Sequence, residues 1–123
     1  MNLFDRETFE RFALSLPAAT LVHQWGNTAV AKVGGKMFAT HGNWDGPDIW
    51  QIGFKCSDMS FRMLPEIEGV YPARYLARAR WVSVQEGSAL PDDELEAYLR
   101  ESHRLVAAKL TRSLKAELGL ASL

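Results

Sequence analysis

The sequence predicts an α+β domain: an antiparallel β-sheet packed against N- and C-terminal helices. Apolar residues recur at helical spacing toward the two ends of the chain, in "FDRETFERFALSL" and "LPDDELEAYLRESHRLVAAKL". Between them lie short aliphatic and aromatic runs separated by Gly, Asn, Asp and Pro, the pattern of strands and turns. At 123 residues, with 47% apolar and 24% charged, the chain suits one soluble core, so residues 1–123 read as a single domain.

In the first helix, Phe4, Phe9, Phe12 and Leu16 lie near one stripe, with Leu14 beside them. Asp5 is placed to cap its start and Pro17 to stop it. The strands follow as "TLVHQW", "TAVAKV", "KMFAT" and "IWQIGFKC". Alternation in the last puts Trp50, Ile52, Phe54 and Cys56 toward the core and Ile49, Gln51, Gly53 and Lys55 on a wetter face. Ser57 caps a short helix through Leu64, which Pro65 ends. "RWVSV" is another strand, with Val82 and Val84 opposite in sense to Trp81 and Ser83. In the C-terminal helix, Leu95, Leu99, Ser102, Val106 and Leu110 share a stripe, with Tyr98 and Leu105 alongside. Asp92, Asp93 and Glu94 at its start and Lys109 near its end suit the helix dipole. "RSLKAELG" forms a short last helix closed by Gly119.

The stretch "KVGGKMFAT" has the look of a phosphate loop, but a P-loop needs GxxxxGK followed by Ser or Thr and then a helix. Here Met37 replaces the hydroxyl residue and a strand follows. Gly-Gly between alternating runs is a hairpin turn with positive φ. With Gly34 and Gly35 central, Val33 faces Lys36, Lys32 faces Met37, and Ala31 faces Phe38. Val33, Lys36, Ala31 and Phe38 then share one side, and Lys32, Met37, Val30 and Ala39 the other. The two lysines point to opposite faces, which excludes a mononucleotide clamp.

The formal charge is −1, from 14 Lys and Arg against 15 Asp and Glu, which argues against strongly charge-driven nucleic-acid binding while leaving room for a local patch. Cys56 is the only cysteine, so no internal disulfide forms, and its core position reads as an inert thiol. His23, His41 and His103 have no metal-ligand spacing. The "HGNWDGPD" connection offers His41, Asp45 and Asp48, but not the ligand series of a calcium loop. No nucleophile motif is present, so no catalytic site, metal or cofactor is expected and the chain reads as a non-enzyme. No apolar run of about 20 residues and no basic-then-hydrophobic leader are present, so the expectation is a cytoplasmic protein with no membrane partner.

The most suggestive stretch is "YPARYLARARWVSV", where Arg74, Arg78 and Arg80 lie among Tyr71, Tyr75 and Trp81. Arginines interleaved with aromatics hold phosphates and stack on bases; the alternative is a solvated turn that the aromatics anchor. The set "ALSLPAAT", "WGNTAVAKVGGKMFAT", "IGFKC", "GVYPARYLARARWVSV" and the C-terminal helix, in that order, resembles the MmcQ/YjbR family over nearly the whole chain. The family-like positions are Lys32, Gly35, Lys36 and Phe38, then Lys55 and Cys56, then Pro72, Tyr75, Arg78 and Trp81. The resemblance implies a CyaY-like α+β fold, also described as a double wing, and a DNA-binding role. The "HGNWDGPDIWQ" connection departs from the family pattern. Asp5, Glu7 and Glu10 are too sparse for the acidic iron-binding face of frataxin-like relatives. The leading expectation is weak DNA binding through the wing hairpin and the arginine segment, with Lys32, Lys36, Lys55, Arg74, Arg78 and Arg80 on phosphates and Trp81 as a stacking or anchoring surface. The alternative is a protein-interaction module, a homodimer or a binder of another protein, that uses aromatics around Trp44 and Trp50.

Overall fold

The computed structural model describes residues 1–122. Strands β1 (Ala19–Gln24), β2 (Thr28–Val33), β3 (Lys36–Gly42), β4 (Gln51–Lys55), β5 (Val70–Pro72) and β6 (Trp81–Gln85) form one antiparallel sheet in the order β1-β2-β3-β4-β6-β5. Helices α1 (Arg6–Leu14) and α3 (Asp92–Ala108) pack on one face, and the short α2 (Asp58–Met63) and α4 (Arg112–Glu117) complete the fold. The expected α+β architecture is present. The expected caps are too: the Asp5 carboxylate accepts from the Thr8 amide at 3.0 Å, and the Ser57 hydroxyl from the Ser60 amide at 3.1 Å. Strand β5 has no counterpart in the sequence reading, because three residues are too few to display an alternation.

The core lies between the sheet and the helices. Cross-strand pairing lines up Ala29, His41, Ile52, Val84 and Val70 in one row and Ala31, Ala39, Phe54 and Val82 in the next. Phe9 and Phe12 of α1 and Leu95, Leu99 and Val106 of α3 close over these rows. Burying such side chains contributes about 1.5–3 kcal/mol each, so the two rows and two helices dominate stability.

The Gly34–Gly35 turn has φ of 57° and 80°, as a primed hairpin requires. Val33 pairs with Lys36 and Lys32 with Met37, but Ala31 pairs with Ala39 and not with Phe38. A bulge therefore corrects the expected register. Its extra residue turns both Phe38 and Ala39 toward the core, where both are fully buried. Ala39 thus leaves the face shared by Lys32 and Met37.

The bulge also ends the β3–β4 ladder early, with Ala39 opposite Phe54 as its last pair. The next amide, of Lys55, donates to Ser102 Oγ at 2.9 Å, and that hydroxyl donates to the Phe38 carbonyl at 2.6 Å. Ser102 is fully buried in α3. One helix hydroxyl thus completes the sheet where the backbone cannot.

His41 was grouped with the β3–β4 connection by sequence, yet it belongs to β3 and faces α1. Its ring lies 5.1 Å from that of Phe9 and 5.3 Å from that of Trp50. Arg6 Nε donates to His41 Nδ1 at 3.1 Å, so the proton sits on Nε2, which donates to the Phe4 carbonyl at 2.7 Å. Burial holds the ring's pKa below its ordinary value of 6.5, and the Arg6 charge adds to the shift.

Two outcomes follow for stability. Ser102→Ala strands one buried donor and one buried acceptor, so it lowers unfolding free energy by about 1–3 kcal/mol, read as an earlier urea midpoint. For His41, the unfolded chain protonates first as pH falls through 6.5, while the folded ring stays neutral. The stability that neutral His41 contributes is full above that pH and is lost progressively below it. The wild-type advantage over His41→Gln in urea titrations should therefore shrink between about pH 7.5 and pH 5.5.

Candidate nucleic-acid interface

The face of the sheet away from α1 and α3 carries a different set of residues. Val30, Thr40, Gly53, Ser83 and Tyr71 line up there across five strands. Gln51 and Gly53, expected on a wetter face, are buried, with Gln51 only 2% exposed. The β3–β4 connection covers Gln51, whose Nε2 donates to Asp45 Oδ2 at 2.6 Å while Ser83 Oγ donates to its Oε1 at 2.5 Å, and Gly53 is screened by Thr40 and Trp81.

Two glycines give this face its depth. A Cβ on Gly53 would come within 2.6 Å of Thr40 Oγ1, and one on Gly42 within 2.8 Å of Thr28 Oγ1 and 2.9 Å of the Trp44 ring. Glycine inside a strand commonly marks such close approach. The result is a groove of about 490 Å³ floored by Thr28, Thr40, Gly53 and Ser83 and walled by Trp25, Trp44, Tyr75 and Trp81. Arg74 and Asp45 stand at its edge as a loose ion pair, 3.7 Å apart.

A second cleft, of about 450 Å³, opens where β3 and β4 part at the bulge. Lys36, Lys55 and Lys109 line it, with Val106 and Leu110 of the α3 end. Desolvation, and next the Lys109 charge, hold the Lys55 ammonium below its ordinary pKa. Three cations around one opening form an anion-seeking site. Met37 and Trp81 line both the cleft and the groove, so the two adjoin across a shared wall, cationic on one side and aromatic on the other.

The seven residues expected to contact nucleic acid are therefore not one patch. Lys36, Lys55 and Trp81 meet in the cleft, and Arg74 and Trp81 in the groove. Lys32 is half-buried in β2 opposite Met37 and lines neither. Arg80 is committed: its Nε donates to Asp58 Oδ1 at 2.6 Å, and its guanidinium lies over Phe61. Arg78 is exposed on the short turn Ala77–Ala79, with no acidic partner among the described residues. The hairpin tip is not a free wing, since a Cβ on Gly34 would fall 2.6 Å from Leu110 Cδ1. Trp44 and Trp50 do not share a surface: Trp44 walls the groove, whereas Trp50 stacks near His41 beside α1, under Arg6.

Sequence reasoning missed Lys109, Thr28 and Thr40 as members of the site. Lys109 was visible only as a helix-end charge. The signal for the groove floor was there in Gly53, a glycine in the middle of an otherwise apolar strand. Cys56 fits its inert reading: it is 3% exposed, its thiol donates to the Arg80 carbonyl, and burial pushes its pKa up to about 11. Among the described residues, no three His, Cys, Asp or Glu side chains gather into a metal-binding group, and no helix is long and apolar enough to cross a membrane.

Comparison with known proteins gives this fold a family. No curated protein matches the chain. Among solved structures, the Deinococcus radiodurans protein DR2400, with its DUF419 domain, is similar over 95% of this chain and 90% of its own, with TM-score 0.78 and 26% identity. A Pseudomonas syringae protein shares the fold over 86% of this chain and 99% of its own, with TM-score 0.68 and 21% identity. The model of the YjbR family matches residues 14–105, well over half of the sequence, and the chain belongs to that family.

Proposed function

We propose that this YjbR-family domain binds DNA weakly, as a single strand laid from the lysine cleft to the aromatic groove. The observation that carries the reading is the shared wall of Met37 and Trp81, which joins a phosphate-seeking end to a stacking end. Lys36, Lys55 and Lys109 take phosphates; Arg74 and Arg78 extend the contact along the segment before β6. A single strand suits this surface better than a duplex, because the hairpin seated on Leu110 does not project into a groove of DNA. We read the domain as a binding module and not an enzyme: Cys56 is buried, and the rings of His41 and His103 are held by the Phe4 and Pro17 carbonyls. The lone free thiol suits the reducing cytoplasm.

Fluorescence anisotropy with labelled single- and double-stranded DNA across a salt series tests this. Five cationic contacts, three from lysine and two from arginine, give a log K against log salt slope of about −3.5 for a single strand, and Lys36→Ala or Lys109→Ala reduces its magnitude by about 0.7. Asp45→Asn keeps an acceptor for Gln51 but frees Arg74, and strengthens binding by up to about fivefold at low salt. An absence of binding at low salt, with a mass that grows with concentration in light scattering, would replace this reading with self-association.

A further inference from the structure

The groove has features that phosphate binding does not use. Thr28 and Thr40 are 4% and 7% exposed, and neither hydroxyl has a partner among the described residues. Neither oxygen is sealed off, since among the described residues no buried side-chain oxygen lacks a partner; both therefore open onto the groove they line. Ser83 gives its proton to Gln51 and keeps lone pairs to accept another. A floor of hydroxyls lies between aromatic walls, with the Trp44 ring beside Gly42 and the Trp81 ring beside Gly53.

The rim carries an independent sign. Among the described residues, four that are not glycine have positive φ: Ala18, Trp25, Tyr75 and Arg80. Trp25, at φ 50°, and Tyr75, at φ 70°, are the two most exposed aromatics of the groove, at 66% and 93%. Bulky residues seldom occupy this region, and such strain concentrates at ligand clamps. Here it holds two aromatic rings in solvent at the opening.

We infer that the groove is a nucleobase subsite, in which the base lies between the Trp44 and Trp81 rings with its polar edge toward Thr28, Thr40 and Ser83. The inference rests on the single-strand reading above and adds to it a contact with the base itself. An acyl chain or an aliphatic side chain would leave the hydroxyls unpaired, at a cost in affinity. A planar ring with donors and acceptors on its edge satisfies both walls and floor. The volume of about 490 Å³ falls within the range of small-ligand pockets, about 300–1,000 Å³. The lysine cleft, beyond the shared Met37 and Trp81 wall, receives the attached phosphate.

The test compares two labelled strands of equal length and charge, one of thymidines and one of abasic sites, by anisotropy at low salt. The thymidine strand binds about tenfold more tightly or better, as stacking of a single base provides. It also quenches groove tryptophan emission; Trp50, on the other face, supplies the unquenched remainder. Trp44→Ala, at a residue 43% exposed and outside the core, brings the thymidine strand down to the abasic level while circular dichroism confirms the fold. Thr40→Val lowers thymidine affinity alone. Equal affinity for the two strands, or a preference that survives Trp44→Ala, overturns the base subsite and leaves the phosphate reading standing. Failure of both strands to bind overturns the phosphate reading and the subsite together.

Discussion

The sheet depends on one hydroxyl that does not belong to it. Where the bulge at Phe38 parts β3 from β4, Ser102 of α3 accepts from the Lys55 amide and donates to the Phe38 carbonyl. Without that bridge, the two halves of the sheet, β1-β2-β3 and β4-β6-β5, would join through only four residue pairs. The same parting of the strands opens the lysine cleft. The fold therefore leaves a gap at the place where its candidate anion site lies, and a buried serine keeps the gap from spreading. A buried hydroxyl is suited to this, because it offers donor and acceptor in one atom without bringing charge into the core.

Much of the fold was legible because it rests on local chemistry. Asp5 and Ser57 declare themselves as caps, Gly34–Gly35 as a primed turn, and the β4 alternation as a core face of Ile52, Phe54 and Cys56. What stayed hidden depends on distant partners. The bulge at Phe38 is settled by packing against His103, whose ring meets that of Phe38 edge-on at 5.1 Å, and by Ser102. Nothing in "KMFAT" announces either. Strand β5 borrows its identity from β6, and Gln51 is buried by a connection that composition marks as a solvent loop.

The candidate site was legible in kind more than in place. The aromatic and basic character of the segment before β6 marked a surface, and Trp81 does join the two cavities. Which cations matter could not be read along the chain. Lys109 meets Lys55 only because α3 ends beside the bulge, and Arg80 is withdrawn by Asp58, which lies on α2. The hydroxyl floor is harder still to see, since Thr28, Thr40 and Ser83 come from three strands and are ordinary β-formers in each.

The two hairpins at the β2 ends differ in what a change at them would meet. Around Gly26 nothing lies within 4 Å of where a side chain would begin, whereas Gly34 is stopped by Leu110. The first turn has open space around it, yet Gly26 sits at φ 78° and the neighbouring Trp25 walls the groove, so a change there is felt at the groove rim. At the second, with Gly34 at φ 57°, a side chain would meet the side chain of Leu110, just beyond the end of α3, the helix that carries Ser102. A change at this solvent-edge turn would thus be felt in the lysine cleft, which Leu110 lines. The two tips thus bear on different places, one on the aromatic groove and the other on the lysine cleft, although the two turns read much alike along the chain.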